Sequence, residues 1–560
     1  MRIIIDMQGA QTSSRFRGVG RYTLSFAQAV VRNRGKHEVI LALSGLFPET
    51  IQPIRAAFHD LLPQENIRIW EVPDPIKEEH PDNDTRRLSA ELLREAYLGS
   101  LQPDLIHICS LFEGYVDDAV TSIGRFDRTH VSVTLHDLIP LRNPEHYLNG
   151  NPRYARYYQH KVAHLKKADC FLAVSEYTRQ EGIDCLGVSA SKIVNTLEAV
   201  EPEFQVLKLE QDTVRVIQDK FGITRSFILY TGGDDERKNL PRLVEAYAAL
   251  PVGLRSAHQL VFVGPIGKTG ELRQLAQDAG LQPEDFLCTG HVSDEELVHL
   301  YNLCHLYIFP SWHEGFGLPP LEAMACGAPV IGANTSSLPE VIGLEEALFD
   351  PFDVSAITTK LQQALTDEAF LARLREHGRK QVQKFSWDET AKRAIATWES
   401  LQRPQPTSCL TISAKHAKPK LAFVSPLPPE RTGIADYSAE LLPALSQYYQ
   451  IEVIVDQQDV TDQWIRKTAQ LELATGSGKI IVSMIGFSTT LVTTHSTSIH
   501  SHCWKRCQVS QCCTTSSNLA SKHTGMVVPQ RPMYWPKPYT PVMVIVPSWS
   551  AIFLPIRGKT

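Results

Sequence analysis

The sequence lacks several features that would place it in other classes of protein. No apolar run reaches the ~20 residues that a helix needs to cross a membrane. The 560 residues carry a formal net charge of −6, which argues against a general nucleic-acid binder, so we expect no nucleic acid as a partner. No basic leader or cleavage site precedes the first apolar segment, so we expect a cytoplasmic location.

Closely spaced cysteines are also scarce. Seven of the 11 cysteines occur singly up to Cys409, as is typical of reduced, buried thiols. The other four crowd together near the end of the chain, but their spacing fits no common zinc pattern. No acidic metal-binding motif stands out either, so we expect no metal site.

What the sequence does contain, up to about residue 401, is a regular alternation of apolar runs with segments of helical periodicity. This pattern predicts an α/β fold, in which the ligand crevice lies at the carboxyl ends of parallel strands. The strand expected at 131–135 ends in His136 and Asp137. A lone histidine is more often structural than catalytic, and it is the position at a strand end that favours a function here.

The most informative stretch is 309–343, where an apolar strand precedes a glycine turn and a helix expected from Pro319. Such a turn presents free N–H groups and the positive end of a helix dipole, which suit a phosphate or a sugar hydroxyl. Glu314 and Glu322 frame the turn. Two glutamates eight apart are usually solvated, but the surrounding glycines and prolines favour a site, which includes Gly315, Phe316, Gly317 and Leu318.

Three further strand-to-helix turns carry glycines, basic residues or a histidine. The first expected strand leads to Gly18, Val19 and Gly20 before a helix from about residue 22, although such a turn alone is weak evidence. A later strand runs into Gly233 and then Arg237 and Lys238, which can neutralise a diphosphate as a fork and as a point charge. A third turn contains His291.

The segment EGFGLPPLE, residues 314–322, resembles the Glu-x7-Glu signature of the retaining glycosyltransferases of family 4, which have the GT-B fold. The resemblance implies that two Rossmann-like domains face a cleft. It assigns Glu314 to the donor sugar, Glu322 to the nucleotide ribose, and His136 to the sugar near its anomeric carbon. We therefore expect His136 and Glu314 to be the catalytic residues. The expected donor-binding residues are Gly18, Val19, Gly20, Asp137, Gly233, Arg237, Lys238, His291, Gly315, Phe316, Gly317, Leu318 and Glu322.

The resemblance also implies the reaction. In this family, retention is attributed to front-face attack, with the departing phosphate helping to deprotonate the acceptor. Neither a carboxylate nucleophile, a metal nor a cofactor beyond the nucleotide sugar is therefore expected. The segments RGVGRYT and HDLIPL resemble bacterial mannosyltransferases of O-antigen and other surface polysaccharides, which favours GDP-mannose as the donor.

Several alternatives stay open. The donor can instead be UDP-glucose or another nucleotide sugar. Epimerases and phosphorylases use similar two-domain architectures, and a phosphorylase would carry pyridoxal phosphate. A non-catalytic sugar-binding or assembly subunit belongs to a different class. The expected acceptor is a glycan or lipid-linked glycan. The basic and aromatic helix at 152–167 is usually a solvated face, but it can also favour peripheral contact with the inner face of a membrane.

A second copy of the same fold is expected after the first. An apolar strand at 421–424 precedes TGIADYS, residues 432–438, which echoes RGVGRYT at 17–23. The expected segments are an acceptor domain at 1–200, a nucleotide-sugar domain at 201–385, a helix packing back on the first domain at 386–402, a linker at 403–418, the start of a second glycosyltransferase N-terminal domain at 419–480, and a disordered tail at 481–560.

The tail has no acidic residue after Glu472 and little periodicity. With permitted codons, reading residues 487–498 two nucleotides later gives FHHFGNNSLHF, and the same offset at 505–517 gives KMPGVAVLHDFF, a strand ending in His-Asp like that at 131–137. We therefore hypothesise that the tail is translated out of frame, through a frameshift or a sequencing error. Resequencing that finds an intact codon series, together with tail peptides in a functional protein, would reject this hypothesis.

Overall fold

The structure is a computed structural model of the chain. It describes residues 1–124, 129–267, 269–401, 420–431, 433–447, 449–455, 457–468, 470–473, 490–493, 542–546 and 550–554. The chain divides into two compact units, Met1–Pro404 and Gln405–Thr560.

The first domain of unit 1 is built on seven parallel strands. They are β1 (Arg2–Asp6), β2 (Glu38–Ser44), β3 (Ile67–Trp70), β4 (Leu105–Ile108), β5 (His130–Leu135), β6 (Cys170–Ala173) and β7 (Ile193–Asn195). Their order is β3-β2-β1-β4-β5-β6-β7, with a topological switch point between β1 and β4. Most strand residues are buried because apolar, β-branched runs are covered on both faces of a parallel sheet.

The first domain also contains seven α-helices within its described residues. They are α1 (Gly18–Asn33), α2 (Pro48–Ala57), α3 (Asp84–Ser100), α4 (Ile139–Arg142), α5 (Pro144–Tyr147), α6 (Pro152–Leu165) and α7 (Glu176–Leu186). The loop predicted at 18–20 is wrong in one respect, because these residues are the first turn of α1. The N–H groups of Gly20 and Arg21 already donate to the carbonyl of Arg17, at 3.1 and 3.3 Å.

The second domain of unit 1 repeats the architecture with six parallel strands in the order β10-β9-β8-β11-β12-β13. The strands are β8 (Ser226–Thr231), β9 (His258–Val263), β10 (Phe286–Cys288), β11 (Leu306–Phe309), β12 (Val330–Ala333) and β13 (Leu348–Phe349). The helices are α8 (Gln211–Phe221), α9 (Leu240–Ala248), α10 (Val252–Ala257), α11 (Thr269–Asp278), α12 (Asp294–Leu303), α13 (Leu318–Ala325), α14 (Leu338–Ile342), α15 (Val354–Thr366) and α16 (Glu368–Val382).

The last helix of unit 1, α17 (Trp387–Leu401), returns to the first domain and packs along α1. Trp398 is fully buried there, and its indole N–H donates to the hydroxyl of Ser132 on β5 at 2.8 Å. An ion pair between Arg32 and Asp388, at 3.2 Å, closes one end of the helix pair. The chain thus crosses from the first domain to the second and back again.

The second unit holds another sheet, in the order β16-β15-β14-β17-β18-β19. Its elements are β14 (Lys420–Val424), α18 (Gly433–Leu445), β15 (Gln450–Val455), α19 (Gln463–Thr468), β16 (Gln470–Leu473), β17 (Thr490–Thr493), β18 (Val542–Val546) and β19 (Ser550–Leu554). The pairings of β14 with β15 and β17, and of β15 with β16, are parallel, whereas those of β18 are antiparallel.

The expectation of disorder at 481–560 does not describe strands β17 to β19. Apolar and β-branched segments such as VMVIV, residues 542–546, favour extended structure, which accounts for these strands. The rest of that range and the predicted linker at 403–418 lie outside the described residues. The second glycosyltransferase copy and the shifted reading frame therefore stay predictions.

Candidate active site

The candidate site lies where the carboxyl ends of strands from the two domains of unit 1 meet. Gly315, after β11, contacts the first domain through its carbonyl, which accepts hydrogen bonds from the hydroxyls of Ser175 and Thr178 at 2.5 and 2.9 Å. A Cβ atom on Gly315 would stand 1.9 Å from the carbonyl oxygen of His136. Only glycine therefore permits this close approach, and it brings the predicted turn against the predicted histidine.

Glu314 is buried between two cations. Its carboxylate lies 2.7 Å from the Arg237 guanidinium and 2.6 Å from the Lys238 ammonium, and it accepts a hydrogen bond from the Ser311 hydroxyl at 2.5 Å. Burial alone would raise the pKa of Glu314, but the charges of Arg237 and Lys238 outweigh it and lower this pKa to about 2. Glu314 is therefore a carboxylate at neutral pH.

Arg237 and Lys238 are held at the end of the loop after β8. Asp235 caps this turn by accepting the N–H of Arg237 at 3.1 Å. The Arg237 guanidinium also donates to the carbonyl of His313 at 2.8 Å. Burial and the neighbouring Arg237 lower the pKa of Lys238. Arg237 and Lys238 both contact Glu314, and Arg237 also pairs with Asp235 at 3.6 Å. The two cations are the kind of donors that bind an anionic group such as a diphosphate.

Glu322, in α13, meets a residue that sequence reasoning missed. Arg21 reaches from α1 of the first domain to within 3.0 Å of the Glu322 carboxylate, and the Tyr301 hydroxyl donates to the same carboxylate at 2.9 Å. Burial raises the pKa of Glu322, although Arg21 and the hydrogen bond oppose this effect. Both predicted glutamates therefore form ion pairs. Glu314 pairs with two cations of its own domain, whereas Glu322 pairs with Arg21 of the other domain.

His136 is engaged through both ring nitrogens. Its Nε2 lies 2.9 Å from the carbonyl oxygen of Cys109, and its Nδ1 lies 3.6 Å from the Glu198 carboxylate. The ring packs edge-on against Tyr22, with 4.8 Å between ring centroids. Burial would lower the pKa of His136, but Glu198 raises it above its ordinary value. The Glu198 carboxylate thus favours a protonated imidazole facing the domain junction.

The remaining predicted residues differ in their placement. Gly18 approaches Leu318, since a Cβ on Gly18 would lie 3.5 Å from a methyl carbon of that leucine. Gly317 has φ +111°, a backbone conformation that glycine adopts readily at the start of α13. Phe316 is buried against Phe385. His291 is exposed and Val19 is half-buried, and the described contacts do not bring either of them to Glu314.

Sequence reasoning missed several polar residues around these positions. Arg21 directly follows a glycine motif already singled out, and Ser311 lies three residues before Glu314, so both carried a signal by proximity. The only signal for Glu198 and Glu201 was that they are carboxylates in TLEAVEPEF, residues 196–204, the mainly apolar segment that leads from the first domain to the second. Tyr301 gave no signal, because a tyrosine on a helix is ordinarily core.

The basic and aromatic helix α6 does not present its aromatic face to solvent. Tyr157, Tyr158 and Lys161 are buried, and Arg153 pairs with Asp84 at 2.5 Å. Arg156, by contrast, is exposed. None of the helices within the described ranges combines the length and apolar character needed to span a bilayer.

Two Rossmann-like domains that meet at the carboxyl ends of their strands, with charged residues of both at the junction, define a GT-B architecture. In agreement, a crystal structure of Anabaena HepE in complex with UDP and glucose matches with a TM-score of 0.52 and 18% identity, over 72% of this chain and 100% of that chain. At this identity the likeness concerns the fold alone. The predicted GT-B fold is confirmed for unit 1.

Comparison with known families gives the more specific result. Residues 215–381 match the model described as glycosyl transferases group 1, and residues 16–196 match glycosyltransferase family 4. The O-antigen chain mannosyltransferase B of Escherichia coli is 32% identical over 268 residues, which are 48% of this chain and 70% of that protein. The chain therefore belongs to glycosyltransferase family 4, whose second domain is the group 1 domain, as the Glu-x7-Glu segment predicted.

A longer match joins the chain to a larger protein. The serotype-specific mannosyltransferase WbdA of Escherichia coli is 38% identical over 399 residues, which are 70% of this chain and 47% of that protein. The chain thus aligns with about half the length of WbdA.

Proposed function

We propose that unit 1 is a retaining mannosyltransferase that moves mannose from GDP-mannose to a growing surface polysaccharide or lipid-linked glycan. The observation that carries this proposal is the buried cluster of Glu314, Arg237 and Lys238 beside the domain junction. The names of the relatives, mannosyltransferases of O-antigen type, support mannose as the transferred sugar.

In this proposal, the donor diphosphate lies against Arg237 and Lys238, and the N-terminus of α13 adds its positive dipole end. As the bond to phosphate breaks, the sugar develops positive charge at its anomeric carbon. Glu314 then fixes the sugar hydroxyls as a hydrogen-bond acceptor, and its low pKa keeps it ionised for that role. The acceptor oxygen bonds to the anomeric carbon on the face from which the phosphate leaves, so the protein needs no carboxylate nucleophile. The leaving phosphate takes the proton of the acceptor hydroxyl.

The two domains have complementary roles in the proposal. His136 approaches the sugar from the first domain, whose Glu198 favours a charged imidazole. Glu322 receives the ribose hydroxyls from the second domain. Because Glu322 already contacts Arg21, ribose binding requires Arg21 to give up or share its contact. Donor binding is therefore coupled to the junction between the domains.

UDP-glucose is the second candidate donor, because it shares with GDP-mannose the diphosphate and the ribose that Arg237, Lys238 and Glu322 would bind. The deciding experiment incubates the full chain with either donor and a short mannose oligosaccharide, and measures product mass and released nucleoside diphosphate. We expect one hexose to be added from GDP-mannose, with the donor's anomeric configuration retained by NMR. Transfer from UDP-glucose alone would overturn the proposed donor. Binding of a donor without transfer to any acceptor would favour a non-catalytic subunit.

In this proposal the protein acts in the cytoplasm, where it uses a nucleotide sugar as its donor. It also makes peripheral contact with the membrane that carries the acceptor. Exposed Arg156, Lys166 and Lys167, on and just after α6, are the basic residues available for such contact. Co-sedimentation with anionic vesicles measures it directly. Equal sedimentation of the wild type and a variant with all three residues changed to glutamine would contradict this role.

A further inference from the structure

Two helices of the first domain bring together a set of ligand-type side chains that the proposed reaction does not use. Glu91 lies on α3, and His160 and His164 lie on α6. One ligand atom from each of the three lies within 4.8 Å of the other two. We propose that these three residues form a structural binding site for a divalent transition-metal ion of the Zn²⁺ type, which joins α3 to α6.

The two histidines have the geometry of a chelating pair. They are four residues apart, so both project from the same face of α6. Their Nε2 atoms lie 3.2 Å apart. Two imidazole nitrogens that each bind a tetrahedral Zn²⁺ at ~2.1 Å stand roughly 3.4 Å apart, so this separation needs almost no adjustment.

Glu91 supplies the third ligand from the facing helix. One of its carboxylate oxygens pairs with Arg87 at 2.9 Å, and the other lies 4.0 Å from Nε2 of His164. The carboxylate is therefore oriented by Arg87 with one oxygen towards the histidine pair. A small rotation about the side-chain bonds of Glu91 brings that oxygen to the distance that a shared metal requires.

His164 meets both polar groups of the Ile123 backbone through its Nδ1. The N–H of Ile123 points at Nδ1 from 3.0 Å, and the carbonyl oxygen of Ile123 lies 3.1 Å from it. A metal on Nε2 requires Nδ1 to carry the proton and donate it to that carbonyl, as in metal-bound histidines whose second nitrogen bonds a carbonyl, so the N–H of Ile123 must turn away. The rival arrangement keeps Nδ1 as the acceptor of that N–H, with Nε2 donating to His160, and the experiment below distinguishes the two.

The neighbouring charges are compatible with a cation. Lys161 is buried next to the pair, but its ammonium donates to the carbonyl and hydroxyl of Thr121, at 2.8 and 2.6 Å, rather than to the histidines. Three carboxylates, those of Glu78, Glu91 and Glu95, are buried around α3 together with three cations, Arg87, Arg94 and Lys161. Arg94 is paired with Asp6 of β1, which is also buried.

The sequence around the pair argues for a structural role. Residues 160–164 read HKVAH, so a lysine follows the first histidine where a hydrolytic zinc helix has a glutamate as its general base. The site therefore lacks the group that would activate a bound water. A metal here would instead hold α3, α6 and the segment around Ile123 together.

Cobalt and zinc binding to the full chain test this proposal. Co²⁺ held by imidazole and carboxylate gives visible absorption bands, whereas Co²⁺ held by the cysteines of the tail adds a near-ultraviolet thiolate band. We expect the wild type to show the visible bands whether or not a thiolate band is present. We also expect Zn²⁺ to displace the bound Co²⁺, which removes the visible bands, and to raise the thermal unfolding midpoint.

His160→Ala and His160→Gln should lose both the visible bands and the rise in the unfolding midpoint. His299→Ala, at a half-buried histidine on α12, is the matched control and should keep both. Equal responses of the wild type and a folded His160 variant to both metals would overturn the proposal.

Discussion

The buried carboxylates at the domain junction differ in the cations that face them. Glu314 meets two cations, and its pKa falls to about 2. Glu201 has Arg21 as its neighbouring cation and accepts a hydrogen bond from Ser25 at 3.1 Å, whereas the nearby Glu322 carboxylate opposes its ionisation. Burial therefore dominates at Glu201 and raises its pKa to about 7. Glu314 is thus ionised at neutral pH, whereas Glu201 titrates near neutral pH.

Replacing Glu201 with glutamine should remove a pH dependence of stability. Between its ordinary pKa near 4.5 and the folded value of about 7, the folded carboxyl keeps a proton that the unfolded carboxyl has released. The free energy of unfolding of the wild type therefore falls as pH rises through this window, by at most about 1.4 kcal/mol per pH unit. Urea denaturation at several pH values should show the variant gaining stability relative to the wild type over this window.

Glu203→Gln is the matched control for this measurement, since Glu203 is exposed and lies two residues away. Its stability should follow the wild type at every pH. Parallel curves for the wild type and Glu201→Gln from pH 4.5 to 7 would show that Glu201 is ionised throughout the window and that burial does not control its pKa.

The sequence was informative about single residues only where a motif surrounded them. It predicted that Glu314, Arg237 and Lys238 belong to one site, although 76 residues separate Lys238 from Glu314. It did not predict that Arg21 faces Glu322, because this pair forms only when two separately folded domains meet. Spacing within one segment carries no information about such a contact.

Helices and strands were more predictable than contacts. The expected strand at 131–135 agrees with β5, and the helix expected from Pro319 agrees with the start of α13, each to within one residue. Their apolar periods and their glycine and proline boundaries are local features of the sequence. The start of α1 was misplaced, because Gly18 and Gly20 indicated a loop where the helix already begins.

Helix α17 should be essential to the stability of unit 1. Trp398 is fully buried, contacts Phe26 and His107, and donates to Ser132. Trp398→Ala should lower the free energy of unfolding of this unit by about 3–5 kcal/mol, since it leaves a large cavity between the helix and the first domain. Urea denaturation of the full chain, followed by circular dichroism, measures this change.

Two further variants show how much of the loss comes from the hydrogen bond of Trp398 and whether the loss requires a buried ring. Trp398→Phe keeps an aromatic ring but loses the hydrogen bond, so its effect should be smaller than that of alanine. Phe352→Ala removes an aromatic ring that is 57% exposed and should change stability little. An alanine variant at Trp398 as stable as the wild type would mean that α17 does not hold the first domain.

In the whole molecule, one complete GT-B unit is followed by a second, smaller unit with its own sheet. The domain boundaries expected from the sequence stay a prediction, because the expected linker at 403–418 lies outside the described residues. All the candidate site residues belong to the first unit. We therefore assign the proposed transfer to residues 1–404.

The central claim is that Glu314 acts in sugar transfer at the junction of the two domains. Its most direct test compares mannose transfer from GDP-mannose by the wild type, Glu314→Ala and Glu345→Ala, the last being an exposed glutamate of the same domain. We expect Glu314→Ala to lose at least about a hundredfold in turnover while its circular dichroism spectrum stays that of the wild type. Glu345→Ala should remain active. Unchanged transfer by a folded Glu314→Ala variant would contradict the account.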